Sequence, residues 1–337
     1  MRVISGKYRG RVINIPKDDR IRPTMDRIKE TVFNVIQGYI EGARVLDLFA
    51  GTGNLGIEAN SRYAKEVVFV DNHPDSINLI NKNLYNMEGN ISVVKSDYLL
   101  YLQSVTKPFD VIFVDAPYHC SLGERAVNFI IERDILEEGG VLCYEHDTKE
   151  KPSITLPANF VYRVKEMGNV TFDFIYKVSV GIVTGSFDPF TKGHLAIVEG
   201  ALEQFDKLYI ACLVNEEKKY LFTSDERIEI IKESLHELGK KEKRVEVIYS
   251  EKFAYEVYEE LRAKALIRAI RDEKDKEYET LMQKYNEERG ATTVFIEVPE
   301  NVKRYSSTLC REQLKENNYD GIVPSAIEKV KKILERK

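Results

Sequence analysis

The chain of 337 residues has no apolar run approaching the ~18 residues that a membrane-crossing helix needs, because charges interrupt every strand-like stretch. Membrane insertion is therefore not expected. The opening stretch MRVISGKYRGRV carries basic residues with no apolar segment behind them, so it does not read as a secretory signal. Cysteine is sparse and scattered: Cys120, Cys143, Cys212 and Cys310 include no C-x-x-C pair. That spacing argues against a disulfide framework or a zinc site, and a reducing, cytoplasmic compartment is expected. No Gly/Ser-rich linker, low-complexity tract or short repeat is present.

What is present is an ordinary globular composition, 43% apolar and 31% charged, at a length that suggests about two domains. The net charge of −5 conceals an asymmetry. Residues 1–30 hold nine basic residues (Arg2, Lys7, Arg9, Arg11, Lys17, Arg20, Arg22, Arg27 and Lys29) against four acidic ones, a local +5 on a remainder of −10. A basic arm on an acidic protein suits a phosphate backbone, although a solvated basic surface has the same composition.

Strand-like and helix-like runs alternate twice along the chain. The first half offers VLDLF, VVFVD, ISVVKSD, FDVIFVDAPY, VLCYEHD and FDFIYKV, with helical stretches near 55–62, 75–86, 98–104 and 124–133. The second restarts at VGIVTGSFDP and continues through KLYIACLV, VEVIYS, KALIRAI and TTVFIEV, with helices near 194–205, 225–238 and 277–288. The predicted class is α/β: two doubly wound domains of parallel strands with helices on both faces, over residues 1–178 and 179–337.

In the first half, VLDLFAGTGNLGIEA puts Gly51 and Gly53 in a turn straight after a hydrophobic strand and before a helix. Such a turn lets the backbone curl around a ligand. Asp71 and Asp97 close the next two strands; each is either a cap or an acceptor for a ribose or an amino group. DAPY (Asp115–Tyr118) closes the fourth. A nucleobase exocyclic amine is a poor nucleophile because its lone pair is delocalised into the ring. A carboxylate and a neighbouring carbonyl can bind its N–H groups, while an aromatic face stacks the extruded base.

DAPY resembles the (D/N)PP(Y/F) signature of amino-group methyltransferases. With SGKYRGR, RPTMDRIKETVFN, LDLFAGTGNLGIEANSRYA and VDNHP, residues 1–178 resemble the RsmD family of 16S rRNA guanine-N2 methyltransferases. The resemblance implies a Rossmann-like class I domain using S-adenosyl-L-methionine, with 16S rRNA or the small ribosomal subunit as partner. It implies that Asp47, Phe49, Gly51, Gly53, Asp71 and Asp97 line the donor pocket. Asp115 and Tyr118 would be catalytic and hold the guanine, and Arg22, Thr24 and Arg27 would face RNA. Ala116 stands where the family has proline, so the turn loses that ring's rigidity but keeps its carbonyl. The alternative is an rRNA-binding assembly factor without catalysis.

In the second half GSFDPFTKGH (Gly185–His194) joins a strand to the helix it opens, and a helix N-terminus with a histidine is suited to phosphate. Lys218, Arg268 and Arg271 could converge on the same charge, and Ser306, Ser307 and Thr308 open another helix. Each has a purely structural reading as well. Together with KKYLFTSDERI, the Arg268–Glu279 segment and SSTLCRE, they resemble phosphopantetheine adenylyltransferase over residues 179–337.

That resemblance implies a HUP-type nucleotidyltransferase domain joining 4′-phosphopantetheine to ATP with Mg²⁺, and a homo-oligomer formed through this half. It implies catalytic roles for His194, Lys218 and Arg268. Ser186, Phe187, His194, Arg271, Glu279, Ser306, Ser307 and Thr308 would contact ATP; Ser186, Lys218, Arg268 and Asn286 would contact the acceptor. No protein-held metal is expected. Val183–Thr184 and Ala269 depart from the family pattern, which leaves open another phosphorylated acceptor, or CTP.

Overall fold

The computed structural model describes residues 1–15, 26–214, 219–270 and 273–337. The chain packs as two units, residues 1–156 with 160–177, and residues 157–159 with 178–337. No helix among the described residues is long and apolar enough to cross a membrane.

The first unit runs α1 (Asp26–Val35), β1 (Arg44–Leu48), α2 (Asn54–Ser61), β2 (Glu66–Asp71), α3 (Pro74–Asn83), β3 (Ile91–Lys95), α4 (Tyr98–Ser104), β4 (Phe109–Asp115), α5 (Leu122–Glu132), β5 (Leu136–Asp147), β6 (Phe160–Met167) and β7 (Val170–Lys177). Among the described residues its seven strands order as β3-β2-β1-β4-β5-β7-β6. The first five are mutually parallel, and β7 pairs antiparallel with both β5 and β6. The expectation of an all-parallel sheet therefore fails at this edge, where β6 was not anticipated at all. Its sequence FVYRVKEM buries only Phe160 fully and exposes Val161, Tyr162 and Val164, so it lacks the apolar continuity of an interior strand.

Two apolar cores follow from the pleat, since successive side chains point to opposite faces. Val45, Val67, Phe69, Val111 and Phe113 pack with Ile28, Val32 and Phe33 of α1, Leu55 and Ile57 of α2, and Ile80 of α3. Leu46, Leu48, Val68, Val70, Ile112 and Val114 pack with Leu102 of α4 and Ala126 to Ile131 of α5.

The second unit runs β8 (Val180–Gly185), α6 (Lys192–Ala201), β9 (Lys207–Leu213), α7 (Ser224–Leu235), β10 (Val245–Ser250), α8 (Ala254–Glu260), β11 (Ala265–Ala269), α9 (Glu273–Glu287), β12 (Thr293–Ile296), α10 (Glu300–Lys303), α11 (Ser307–Lys315) and α12 (Ile327–Leu334). Its five strands are all parallel in the order β10-β9-β8-β11-β12. Helices α6, α7, α11 and α12 share one core with Val183, Ile210 and Ile267, while Val257 of α8 joins Ile182, Ala211 and Leu266 on the other face. In both sheets the strand order reverses beside the first strand, a switch point where the loops diverge and leave a crevice.

Candidate active sites

In the first unit the turn after β1 passes through Phe49, Gly51 and Gly53 at φ of 64°, 55° and 76°, left-handed conformations that glycine adopts without strain. Gly53 caps α2, and a Cβ there would sit 3.2 Å from the Phe69 ring. The turn is braced from three sides. Gly51 N donates to Asp71 Oδ2 at 2.9 Å, Asn83 Nδ2 donates to the Thr52 carbonyl at 2.9 Å, and Lys29 Nζ reaches Asn54 Oδ1 at 2.7 Å. Asp47 lies beneath it, buried, accepting from Gly56 N at 2.8 Å, and burial pushes its carboxyl up to about 7.

Asp71 spends its second oxygen on His73 N at 2.8 Å, and Asp97 caps α4 by accepting from Leu99 N and Leu100 N at 2.8 and 3.2 Å. Asp97 is thus a helix cap, and Asp71 ties the glycine turn to the start of α3. The Phe49 ring lies 5.1 Å from that of Tyr98.

Asp115 ends β4 on the neighbouring strand, so the glycine turn and DAPY flank the switch point. Tyr118 Oη donates to Glu145 Oε1 at 2.6 Å, and Glu145 pairs in register with Asp115. Glu145 is buried, which pushes its carboxyl up, and its Oε2 has no hydrogen-bond partner among the described residues. Burial works to lower the neighbouring His146 imidazole, but Asp173 at 3.5 Å and the Asp147 carbonyl hold it above its ordinary value. Glu150 accepts from Asp147 N and from His119 N. The reading from sequence missed Glu145 and Glu150; Glu145 lies two residues before the end of the strand VLCYEHD, and Glu150 three residues beyond it.

The basic arm is partly structural. Lys29 and Glu58 are buried together at 3.3 Å, Lys29 also donates to the Arg2 carbonyl, and Glu58 accepts from Ile4 N and Ser5 N. Burial lowers the Lys29 ammonium despite Glu58. Arg9 and Arg27 are exposed. Arg22 and Thr24 lie outside the described residues.

In the second unit Thr191 caps α6. Its Oγ1 accepts from His194 N at 3.3 Å while its own N–H donates to His194 Nδ1 at 3.0 Å. Nδ1 is therefore an acceptor, which assigns the ring proton to Nε2. Phe187 is buried and meets the imidazole edge-on at 5.2 Å, with Phe190 at 5.4 Å, so Phe187 seats His194 instead of lining the cavity. A Cβ at Gly193 would lie 2.8 Å from the Tyr305 carbonyl, so only glycine lets the start of α6 approach the start of α11.

These two helix starts enclose a cavity of about 310 Å³ lined by Ser186, Asp188, His194, Lys219, Tyr220, Ser306, Ser307, Thr308 and Arg311. Ser306 caps α11, Ser307 Oγ donates to the Pro189 carbonyl, and Arg311 reaches Thr308 and the Asp188 carbonyl. Asp188 is buried and accepts from Leu221 N and Phe222 N, each at 2.9 Å, tying the segment after Lys219 to the site. Arg227 Nη1 donates to the Ser186 carbonyl at 2.6 Å. Asp188, Lys219, Tyr220 and Arg311 were not anticipated as site residues, although all four belong to the short motifs GSFDPFTKGH, KKYLFTSDERI and SSTLCRE.

Arg268 leaves β11 to bind Glu279 through Nε and Nη2, and Thr184 Oγ1 at 3.3 Å through Nη1. Glu279 is thus Arg268's counterion. Asn286 is 1% exposed, with Nδ2 unpartnered among the described residues. Lys218 and Arg271 lie outside the described residues. No group of three or more His, Cys, Asp or Glu that could hold a metal gathers among the described residues.

Comparison with known proteins gives two separate matches. The family model described as Conserved hypothetical protein 95 matches residues 1–176, and the one described as Cytidylyltransferase-like matches residues 182–313. Ribosomal RNA small subunit methyltransferase D of Haemophilus influenzae is 38% identical over 178 residues, 51% of this chain and 91% of that protein. Phosphopantetheine adenylyltransferase of Streptococcus gordonii is 40% identical over 136 residues, 40% of this chain and 80% of that protein. Among solved structures, a putative methyltransferase from Escherichia coli is 32% identical, covering 52% of this chain and 97% of its own, with a TM-score of 0.48.

Proposed function

We propose, for a chain that belongs to the ribosomal RNA small subunit methyltransferase D family in its first half and to the phosphopantetheine adenylyltransferase family in its second, that it carries two separate transferases. Residues 1–178 move a methyl group from S-adenosyl-L-methionine to the N2 amine of a guanine in 16S rRNA. Residues 179–337 move AMP from ATP to 4′-phosphopantetheine. Both act in the cytoplasm.

The observation that carries the first reading is the glycine turn and DAPY on adjacent strands at the switch point. The left-handed turn and the acids at the strand ends suit a donor with a cationic sulfonium and a ribose, which Phe49, Gly51, Gly53, Asp71 and Asp97 would hold. When bound, that donor supplies an electrophilic methyl group. The Asp115 carboxylate and the Ala116 carbonyl accept the two amine N–H groups and orient the nitrogen lone pair. Tyr118 stacks the base, and exposed Arg9 and Arg27 meet the RNA backbone.

The second reading rests on the cavity between two helix N-termini. His194 Nε2–H, the hydroxyls at the start of α11, Lys219 and Arg311 all suit phosphate oxygens. The attacking phosphate is already ionised at neutral pH, so positioning and charge stabilisation carry the rate without a general base. Mg²⁺ would arrive on the triphosphate.

The full chain is assayed with ATP and 4′-phosphopantetheine for dephospho-CoA and pyrophosphate, and with methyl-labelled donor and unmodified 16S rRNA or small subunits for base methylation. Dephospho-CoA and N2-methylguanine are the expected products. Binding of RNA without methyl transfer would leave an assembly factor, and pyrophosphate release with CTP alone would make the second half a cytidylyltransferase.

A further inference from the structure

We propose that Glu145 is a positioning residue for methyl transfer: its buried carboxyl fixes the Tyr118 ring beside Asp115. The inference rests on the methyltransferase reading of the first site and goes beyond it, since nothing in DAPY or the glycine turn points to β5.

Tyr118 lies on irregular backbone after β4, where Pro117 fixes the φ before it but leaves the tyrosine's own side-chain torsions free. A ring that must present a flat face to a base needs another restraint. Glu145 supplies one through a 2.6 Å hydrogen bond from the phenol. Its own place is set by the parallel ladder that sets Asp115, because the two residues pair in register. The carboxyl that receives the base and the carboxyl that holds the stacking ring are therefore spaced by one strand repeat.

A second fastening lies one residue on. Glu150, just past the end of β5, accepts from His119 N with one oxygen and from Asp147 N with the other. Both ties run from the base-binding loop to the same strand end. Glu145 is only 5% exposed and makes this one hydrogen bond, its Oε2 having no partner among the described residues. A carboxyl buried with a single bond costs folding free energy, and an apolar side chain would pack there more cheaply. The cost is intelligible if the bond is needed to orient Tyr118.

The test uses the full chain and steady-state methylation of RNA by Tyr118→Phe, Glu145→Ala, the double variant and Glu145→Gln. Tyr118→Phe keeps the stacking face and loses the bond, so it and Glu145→Ala should each lower kcat/KM about tenfold. The double variant should lose no more than the worse single one, and Glu145→Gln, whose amide oxygen still accepts, should recover to within roughly threefold of wild type. Affinity for the methyl donor should not change.

A folded Glu145→Ala with wild-type kcat/KM, losses that multiply, or a Glu145→Gln as slow as Glu145→Ala would each overturn the proposal. If Glu145→Ala does not fold, the Gln and Phe variants carry the same test: Gln must lie near wild type and Phe tenfold below it. A wild-type chain that methylates no RNA removes the reading of the site and this inference with it; a methylating wild type with additive variants removes the inference alone.

Discussion

The two units share a central strand order, third-second-first-fourth-fifth within each, and both place their candidate residues where that order reverses. They differ in the sign of what is placed there. The first unit carries Asp47, Asp71, Asp97, Asp115 and Glu145 within two residues of five successive strand ends. The corresponding edge of the second carries His194, Lys219, Arg268, Arg311 and three hydroxyls at a helix start, with Asp188 buried among them as a tether. One scaffold thus builds an edge rich in carboxyl groups, and another rich in cationic and hydroxyl groups. The topology fixes where a ligand sits, and side chains at a few loop positions fix which.

The largest effect should come from separating the two chemistries. His194→Ala removes an N–H donor from the cavity between α6 and α11 and should lower pyrophosphate release by roughly 10²–10³-fold while methylation is untouched. Asp115→Ala should do the reverse by a comparable factor. The check is both assays on both variants. A loss in the unmutated site would mean the units work as one, and the comparison would break.

Next in size is a stability effect confined to one unit. Lys29 and Glu58 are buried together at the base of the glycine turn. Lys29→Met takes away one of Glu58's two cations, leaving Arg62 Nε at 2.8 Å and the Ile4 and Ser5 N–H groups on the carboxylate, and should cost about 1–3 kcal/mol. Calorimetry can assign the transitions, because the methyl donor raises the first unit's melting temperature and ATP the second's. Only the first should fall.

An effect of similar size separates the acidic edge from the basic one by pH. Asp47 is pushed from its ordinary 3.8 up to about 7 on folding, so the folded unit holds its proton across that window. The stability this contributes is complete below the unfolded value and lost as pH rises through about 7. His146, also raised, slopes the same way, so the contrast that matters is between wild type and Asp47→Asn. The donor-shifted transition should fall by the equivalent of about 1–3 kcal/mol between pH ~5 and ~8 in wild type and be flatter in the variant. Equal slopes would place the charge elsewhere.

How far the sequence foretold this depends on the reach of each interaction. The glycine turn, DAPY, the T-x-G-H turn and the Ser306–Thr308 cap were legible because each is a local device with fixed spacing. The switch-point geometry followed from the alternation of strands and helices. Glu145, Asp188 and Arg311 were not, since each acquires its meaning across 27 to 123 residues of chain. The same limit hid β6, an edge strand with weak patterning. It also hid the pairing of Glu279 with Arg268, a tertiary fact.

That pairing frames the smallest and most specific prediction. Arg268 is held by two bonds to Glu279 and one, at 3.3 Å, to the Thr184 hydroxyl at the end of β8. These bonds hold its guanidinium in one rotamer at the C-terminal end of β11. Thr184→Val keeps the side-chain volume and removes a long hydrogen bond, leaving the two Glu279 bonds in place. Adenylyl transfer should fall only about two- to fivefold, chiefly in kcat, with methylation unchanged. A loss approaching that of His194→Ala would mean that Thr184 itself meets the nucleotide. No loss at all would mean that Glu279 alone sets the arginine, and the basic edge would then depend on a single counterion where the acidic edge depends on a whole ladder.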